Sequence, residues 1–181
     1  ASVASFFVSR VDTLIDKRLD ARVAAGALDV SAAASLKGKA AVANAKVAYR
    51  RYREIFSEKR FLALTQAHVQ KILWGSTGTK NPSYSNIKYV EELMGPDSIN
   101  TMPEATLKAF QDHGRAAISI YDKPGEAERL FSELRGVGVD INQVTEQLES
   151  EGVKLFSDSF RLLLREIAQK RDSFPTKKPQ K

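Results

Sequence analysis

Apolar positions along the chain alternate between short unbroken runs and stripes of helical period. Residues 1–8 set small and β-branched side chains beside Phe6 and Phe7, a pattern that predicts a strand buried on both faces. Val11, Leu14, Ile15, Leu19 and Val23 then recur at helical spacing. Ser9, with Asp12 three residues on, resembles a capping box at the start of that helix, Asp standing in for the usual Glu or Gln. Arg10 falls in its first turn, where free N–H groups and the helix dipole favour an anion. Covering the strand end, or pairing with a carboxylate such as Asp12, accounts for Arg10 equally well.

Residues 26–31 read as a loop and 32–56 as one alanine-rich helix, with Leu36, Ala40, Ala43 and Val47 on one face. Its cluster Lys46, Arg50, Arg51 and Arg53 reads as a solvated face. A short helix is predicted over 58–66. Lys71-Ile72-Leu73-Trp74 then forms a second short apolar run, a buried strand. Residues 87–93 are ambiguous, a helical turn being one reading. Residues 98–102 predict a third strand, and Pro103 opens a helix with Leu107 and Phe110 inward and Gly114 as its stop. Residues 115–124 form a loop in which 116–120 could be extended. Residues 126–135 are helical, with Ala127, Leu130, Phe131 and Leu134 on one face. Asp140 with Gln143 resembles another capping box. The helix that follows has a candidate bend at Gly152 and a stripe of Val153, Phe156, Phe160, Leu163, Leu164 and Ile167 that must lie on something apolar. Three strands, each followed by a helix, predict βα units and a parallel sheet, an α/β fold.

The second strand runs straight into Gly75-Ser76-Thr77-Gly78-Thr79-Lys80-Asn81-Pro82. An apolar strand leading into a small, hydroxyl-rich, cationic loop is how an α/β protein builds an oxyanion pocket at a strand's C-terminal end. Hydroxyls and backbone N–H groups donate hydrogen bonds, glycines admit close approach and the lysine supplies charge. An ordinary βα turn rich in turn formers fits the same pattern.

Composition narrows the classes. The 181 residues carry a formal charge of +6, with Lys177, Lys178 and Lys181 in a polar tail, 175–181, that is predicted to be disordered. No stripe of cations interleaved with aromatics suggests nucleic acid, and small phosphorylated substrates explain the basic balance as well. No apolar run is long enough to span a bilayer. Cysteine is absent, so disulfides and thiolate metal sites are excluded, and two histidines, His68 and His113, make a histidine metal site a poor expectation. His68 has no partner motif and reads as structural.

Three separated segments, Ala4 to Asp12, Trp74 to Ser85, and Gly95-Pro96-Asp97 through Asn100-Thr101-Met102-Pro103, resemble transaldolase of the bacterial and plant type. Tyr89-Val90-Glu91-Glu92-Leu93 and Leu148 to Val153 fit the same resemblance, which covers nearly the whole chain apart from the tail. It implies the C-terminal part of a (β/α)₈ TIM barrel: strands six to eight plus C-terminal helices, one domain over 1–174, with Ala1 a cut end. It implies transfer of a dihydroxyacetone unit from sedoheptulose 7-phosphate or fructose 6-phosphate to an aldose phosphate through a lysine Schiff base, without a cofactor. Ser5 matches a pocket hydroxyl, Phe7 an aromatic beside the Schiff base, and Arg10 a phosphate-binding arginine. Thr77, with Ser76 beside it, matches a pocket hydroxyl near the phosphate, and Lys80 stands where many members have a second phosphate-binding arginine. No lysine here matches the Schiff-base position, so no catalytic residue is expected in this chain, and the enzyme's N-terminal half is the implied partner. The resemblance implies a cytoplasmic protein, or a plastid one in a plant, and a homo-oligomer is compatible with it. The rival expectation is a non-catalytic module that binds a sugar phosphate or a partner. Three of eight strands cannot close a barrel, so strand edges and helix faces should stand uncovered.

Overall fold

The computed structural model describes residues 2–123 and 125–174; the predicted tail lies outside the described residues. Strands β1 (Val3–Phe7), β2 (Lys71–Gly75) and β3 (Ser98–Asn100) form a parallel sheet in the order β1-β2-β3. Helices α1 (Ser9–Ala24), α2 (Val30–Leu36), α3 (Ala40–Ser57) and α4 (Lys59–Leu62) connect β1 to β2, and α5 (Lys88–Glu91) lies between β2 and β3. Then come α6 (Glu104–His113), α7 (Glu126–Gly136) and α8 (Ile141–Ser173). The predicted α/β class and parallel sheet are present. The chain divides into two compact units, Ala1–Val144 and Thr145–Lys181, where the sequence suggests one body through residue 174.

The register pairs Ser5 with Leu73, Phe7 with Gly75, Leu73 with Ile99 and Trp74 with Asn100. Side chains alternate across a strand, so Phe6, Ile72 and Trp74 share one face. There Ile72 and Trp74 are buried, and Phe6 meets the indole edge-on at 5.7 Å. The other face carries Val3, Ser5, Phe7 and Ile99, and all four are exposed. The strand β1 is therefore not buried on both faces, contrary to its composition. Among the described residues only β2 pairs with it, and its second face is left open.

The alanine-rich segment is two helices rather than one. Asp29 caps α2, its carboxylate accepting from the N–H groups of Ser31 (2.8 Å) and Ala32 (3.3 Å), so the helix starts ahead of the predicted residue. Lys37 is extended and Gly38 takes φ +68°, which breaks the segment before α3. The buried face of α3 is Ala40, Ala41, Val42, Ala45, Tyr49 and Tyr52; of the predicted stripe, Leu36 (on α2) and Ala40 are buried, while Ala43 and Val47 are only partly so. Small residues at 40, 41 and 45 fit its position against α1 and α7. Arg50, Arg51 and Arg53 are exposed, as the charge pattern suggests.

The Asp140 carboxylate accepts from the Asn142 N–H at 2.8 Å and so caps α8. That helix runs through Gly152 without a break. Along its stripe Val153, Phe156, Phe160, Leu163, Leu164 and Ile167 are each at least half exposed. No helix among the described residues is long and apolar enough to cross a membrane.

Candidate functional site

The parallel ladder continues past the strand ends. The Val8 N–H donates to the Gly75 carbonyl (2.9 Å) and the Ser9 N–H to the Ser76 carbonyl (3.1 Å), which ties the first turn of α1 to the loop after β2. Thr101 donates both its N–H and its hydroxyl to the Trp74 carbonyl, at 2.9 and 3.1 Å. Thr77 is fully buried, and its hydroxyl donates to Asn100 Oδ1 (2.8 Å) and the Thr101 carbonyl (3.0 Å). Its hydroxyl thus locks the C-terminal ends of β2 and β3 together.

Phe7, Gly75 and Arg10 form a stack. A Cβ on Gly75 would stand 3.3 Å from the Phe7 ring, so the glycine lets that ring lie against the backbone. Arg10 places its guanidinium carbon 5.0 Å from the ring centroid, a cation–π contact. The guanidinium is half-buried and makes no ion pair among the described residues. Of the alternatives the sequence left open, pairing with Asp12 is not realised: both Asp12 oxygens are engaged elsewhere. Ser5 lies on the same sheet face as Phe7 and is exposed. Ser76 is a non-glycine residue at φ +53°, a conformation that costs energy and clusters at functional sites.

The predicted capping box at Ser9 and Asp12 does not form. Val8 occupies the N-cap position, and the buried Ser9 hydroxyl has no partner. Asp12 instead accepts from the Ala41 N–H (2.7 Å) at the start of α3 and from the Tyr89 hydroxyl (2.8 Å). One turn on, Asp16 accepts from the Gly38 N–H (3.0 Å) and the Tyr84 hydroxyl (2.6 Å). Burial pushes the Asp12 carboxyl above its usual range, outweighing the two hydrogen bonds that lower it. Burial likewise raises the Tyr89 phenol, with the Asp12 charge adding to it. Sequence reasoning missed these residues as a group. The available signal was Asp12, Asp16 and Asp20 at four-residue spacing along α1.

Lys80 is exposed and borders a hollow of about 290 Å³ walled by Asp12, Asp16, Asp20 and Tyr84; Arg10 does not border it. The structure thus brings Phe7, Arg10 and Ser76 to the C-terminal ends of β1 and β2, with Ser5 midway along β1 on the same face as Phe7. Thr77 lies behind them, and Lys80 sits along the flank of α1. The acidic wall is not an anion site in itself, so any role for Lys80 toward an anion depends on how its loop is held. A larger hollow of about 610 Å³ lies between α3 and α7 and touches none of these residues. Three of its basic side chains are tied internally: Lys46 to the Asp122 carbonyl (3.2 Å), Arg50 to Glu128, and Arg53 to Asp97 (3.4 Å). Among the described residues no cluster of side chains suited to a metal ion is found.

Transaldolase of Saccharopolyspora erythraea is 46% identical over 175 residues, covering 95% of this chain and 46% of the relative. Transaldolase 2 of a Nostoc species is 44% identical over 177 residues, covering 94% and 46%. Transaldolase of Frankia alni is 48% identical over 172 residues, covering 93% and 45%. The chain spans about half the length of the curated relatives it matches. A family profile described as Transaldolase/Fructose-6-phosphate aldolase matches residues 1–167, and with the relatives it establishes that this chain belongs to that family.

Proposed function

We propose that this chain supplies the phosphate-binding side of a transaldolase active site, as the C-terminal part of a (β/α)₈ barrel. The observation that carries the reading is Arg10: a guanidinium without an ion pair among the described residues, held over Phe7 at the C-terminal ends of parallel strands. Active sites of such barrels lie at that end. Arg10 offers a fork of donors to a dianionic phosphate, worth about 1.5–3 kcal/mol for a charge-assisted bond. Ser5 and Ser76 add hydroxyls along the pocket. Thr77 takes a supporting part, because its hydroxyl is already engaged with Asn100 and Thr101. Lys80 contributes a point charge without arginine's bidentate fork.

The reaction in this reading moves a dihydroxyacetone unit from sedoheptulose 7-phosphate to glyceraldehyde 3-phosphate, giving erythrose 4-phosphate and fructose 6-phosphate. The lysine that forms the Schiff base, and the acid/base groups, belong to the N-terminal half of the enzyme. That half would pair with the free edge of β1 and cover the face bearing Val3, Phe7 and Ile99.

The test mixes this chain with the N-terminal half of the Saccharopolyspora relative and reduces with borohydride in the presence of fructose 6-phosphate. A covalent label on a lysine of the N-terminal half is expected. Arg10→Ala should raise KM for the sugar phosphate at least tenfold, about 1.4 kcal/mol. Stable association of the halves without label would overturn the reading and leave the non-catalytic module.

A further inference from the structure

The loop 76–87 carries Lys80 and has no strand or helix of its own. Its start is fixed by Thr77, whose hydroxyl is bound to β3 and the residue after it. Gly78 fits closely against Pro103, where a Cβ would stand 3.1 Å from the proline ring. Its far end is fixed by Tyr84. The Tyr84 hydroxyl donates to Asp16 on α1, and the other Asp16 oxygen accepts from the Gly38 N–H. The Tyr84 ring lies directly on the Gly38 α-carbon: a Cβ there would stand 2.6 Å from the ring. Gly38 therefore serves twice, by its φ of +68° and by its missing side chain. Lys88 caps the arrangement, its ammonium 5.1 Å from the ring centroid.

We propose that Tyr84, latched in the notch made by Gly38 and Asp16, sets the position of Lys80 relative to Arg10, so that Tyr84 and Gly38 are positioning residues for phosphate binding. This role for Tyr84 and Gly38 rests on the function proposed above. It turns on α1 serving as a common ruler. Arg10 is in its first turn, and Asp16, six residues along the same helix, holds the end of the lysine loop. The neighbouring pair repeats the device: Asp12 grips Tyr89 and the Ala41 amide as Asp16 grips Tyr84 and the Gly38 amide. Two carboxylates one helical turn apart thus clamp the segment after β2 and the segment opening α3 onto α1. The Asp12 pair is buried and belongs to the core. Both pairs border the hollow that Lys80 lines, but the Tyr84 hydrogen bond is only partly buried where the Tyr89 one is buried, so the Tyr84 pair can loosen while the core stays intact.

The test uses Tyr84→Phe, which removes one hydroxyl and keeps the ring, and Gly38→Ala, which fills the notch. Amide exchange followed by mass spectrometry should show residues 78–86 exchanging roughly tenfold faster in both variants, with the α1 amides around Ile15 and Leu19 unchanged. In the reconstituted pair of halves, KM for fructose 6-phosphate should rise roughly tenfold while kcat holds. Should Gly38→Ala fail to fold, Tyr84→Phe alone decides. Unchanged exchange in the loop overturns the latch. Faster exchange with an unmoved KM overturns the positioning role. A parent pair that neither binds nor turns over sugar phosphates overturns the proposed function instead, and the loop exchange then decides the latch by itself.

Discussion

Asp12 is the residue on which the helical layer is most exposed to a single change. Asp12 is 2% exposed, yet its carboxylate joins α1 to the amide of Ala41 and the phenol of Tyr89. Asp12→Ala would leave that N–H and hydroxyl buried without a partner, a loss of about 1–3 kcal/mol for each such group. Asp12→Asn keeps an acceptor oxygen and the side-chain shape, and should cost distinctly less; urea denaturation of the two variants checks the order. The pH dependence has a definite sign. Because the folded-state pKa of Asp12 is raised above 3.8, the folded protein binds more protons here than the unfolded chain does. The contribution of Asp12 is complete below that value and is lost as pH rises through the folded pKa. The stability of the parent relative to Asp12→Asn should therefore be greater at pH 4 than at pH 7. Equal differences at both pH values would refute the assignment. The sequence shows Asp12 in the first turn after Ser9, and a local capping box is the natural reading. The actual partners lie 29 and 77 residues away, and no local pattern encodes which helix start a carboxylate will cap.

At the scale of elements, local pattern was a good guide where periodicity was strong and a poor one where a break depended on tertiary contact. The run Lys71 to Trp74 is a strand, and the stripe on 126–135 is a helix. Alanine-rich text on both sides of Gly38 favours helix and hides the break there; the contact that requires glycine at that position is the Tyr84 ring, 46 residues on. The candidate bend at Gly152 shows the opposite error. A glycine weakens a helix without requiring a kink, and a Cβ added there would meet nothing within 4 Å. Gly152→Ala should therefore stabilise α8 by about 0.5–1 kcal/mol, seen as a higher midpoint for loss of helical circular dichroism. A lower midpoint would show that the backbone at 152 is held in a conformation alanine resists.

At the scale of the molecule, the motifs make the family and the α/β class legible, because each segment carries several chemically particular residues in order; they do not show that Lys80 stands on a hollow Arg10 does not border. What they left unread is how the uncovered surfaces behave. On one face of the sheet, Val3 and Phe7 of β1 and Ile99 of β3 stand exposed. Along α8, Phe160, Leu163, Leu164 and Ile167 are each at least half exposed, at spacings that put them on one side of a helix. Contiguous apolar surface of this kind drives association when no partner is present. The isolated chain should therefore show a mass that rises with concentration in sedimentation equilibrium. Phe160→Lys with Leu163→Lys should lower that mass without changing the circular dichroism, because both side chains already face solvent. Adding the N-terminal half should compete with self-association and protect the β1 amides from exchange, since parallel pairing at that edge consumes its free N–H and C=O groups. If the chain stays monomeric at high concentration, with dye binding no greater than that of an ordinary globular protein, the exposed faces are covered in solution. The open face of the sheet would then not be the seat of a missing half.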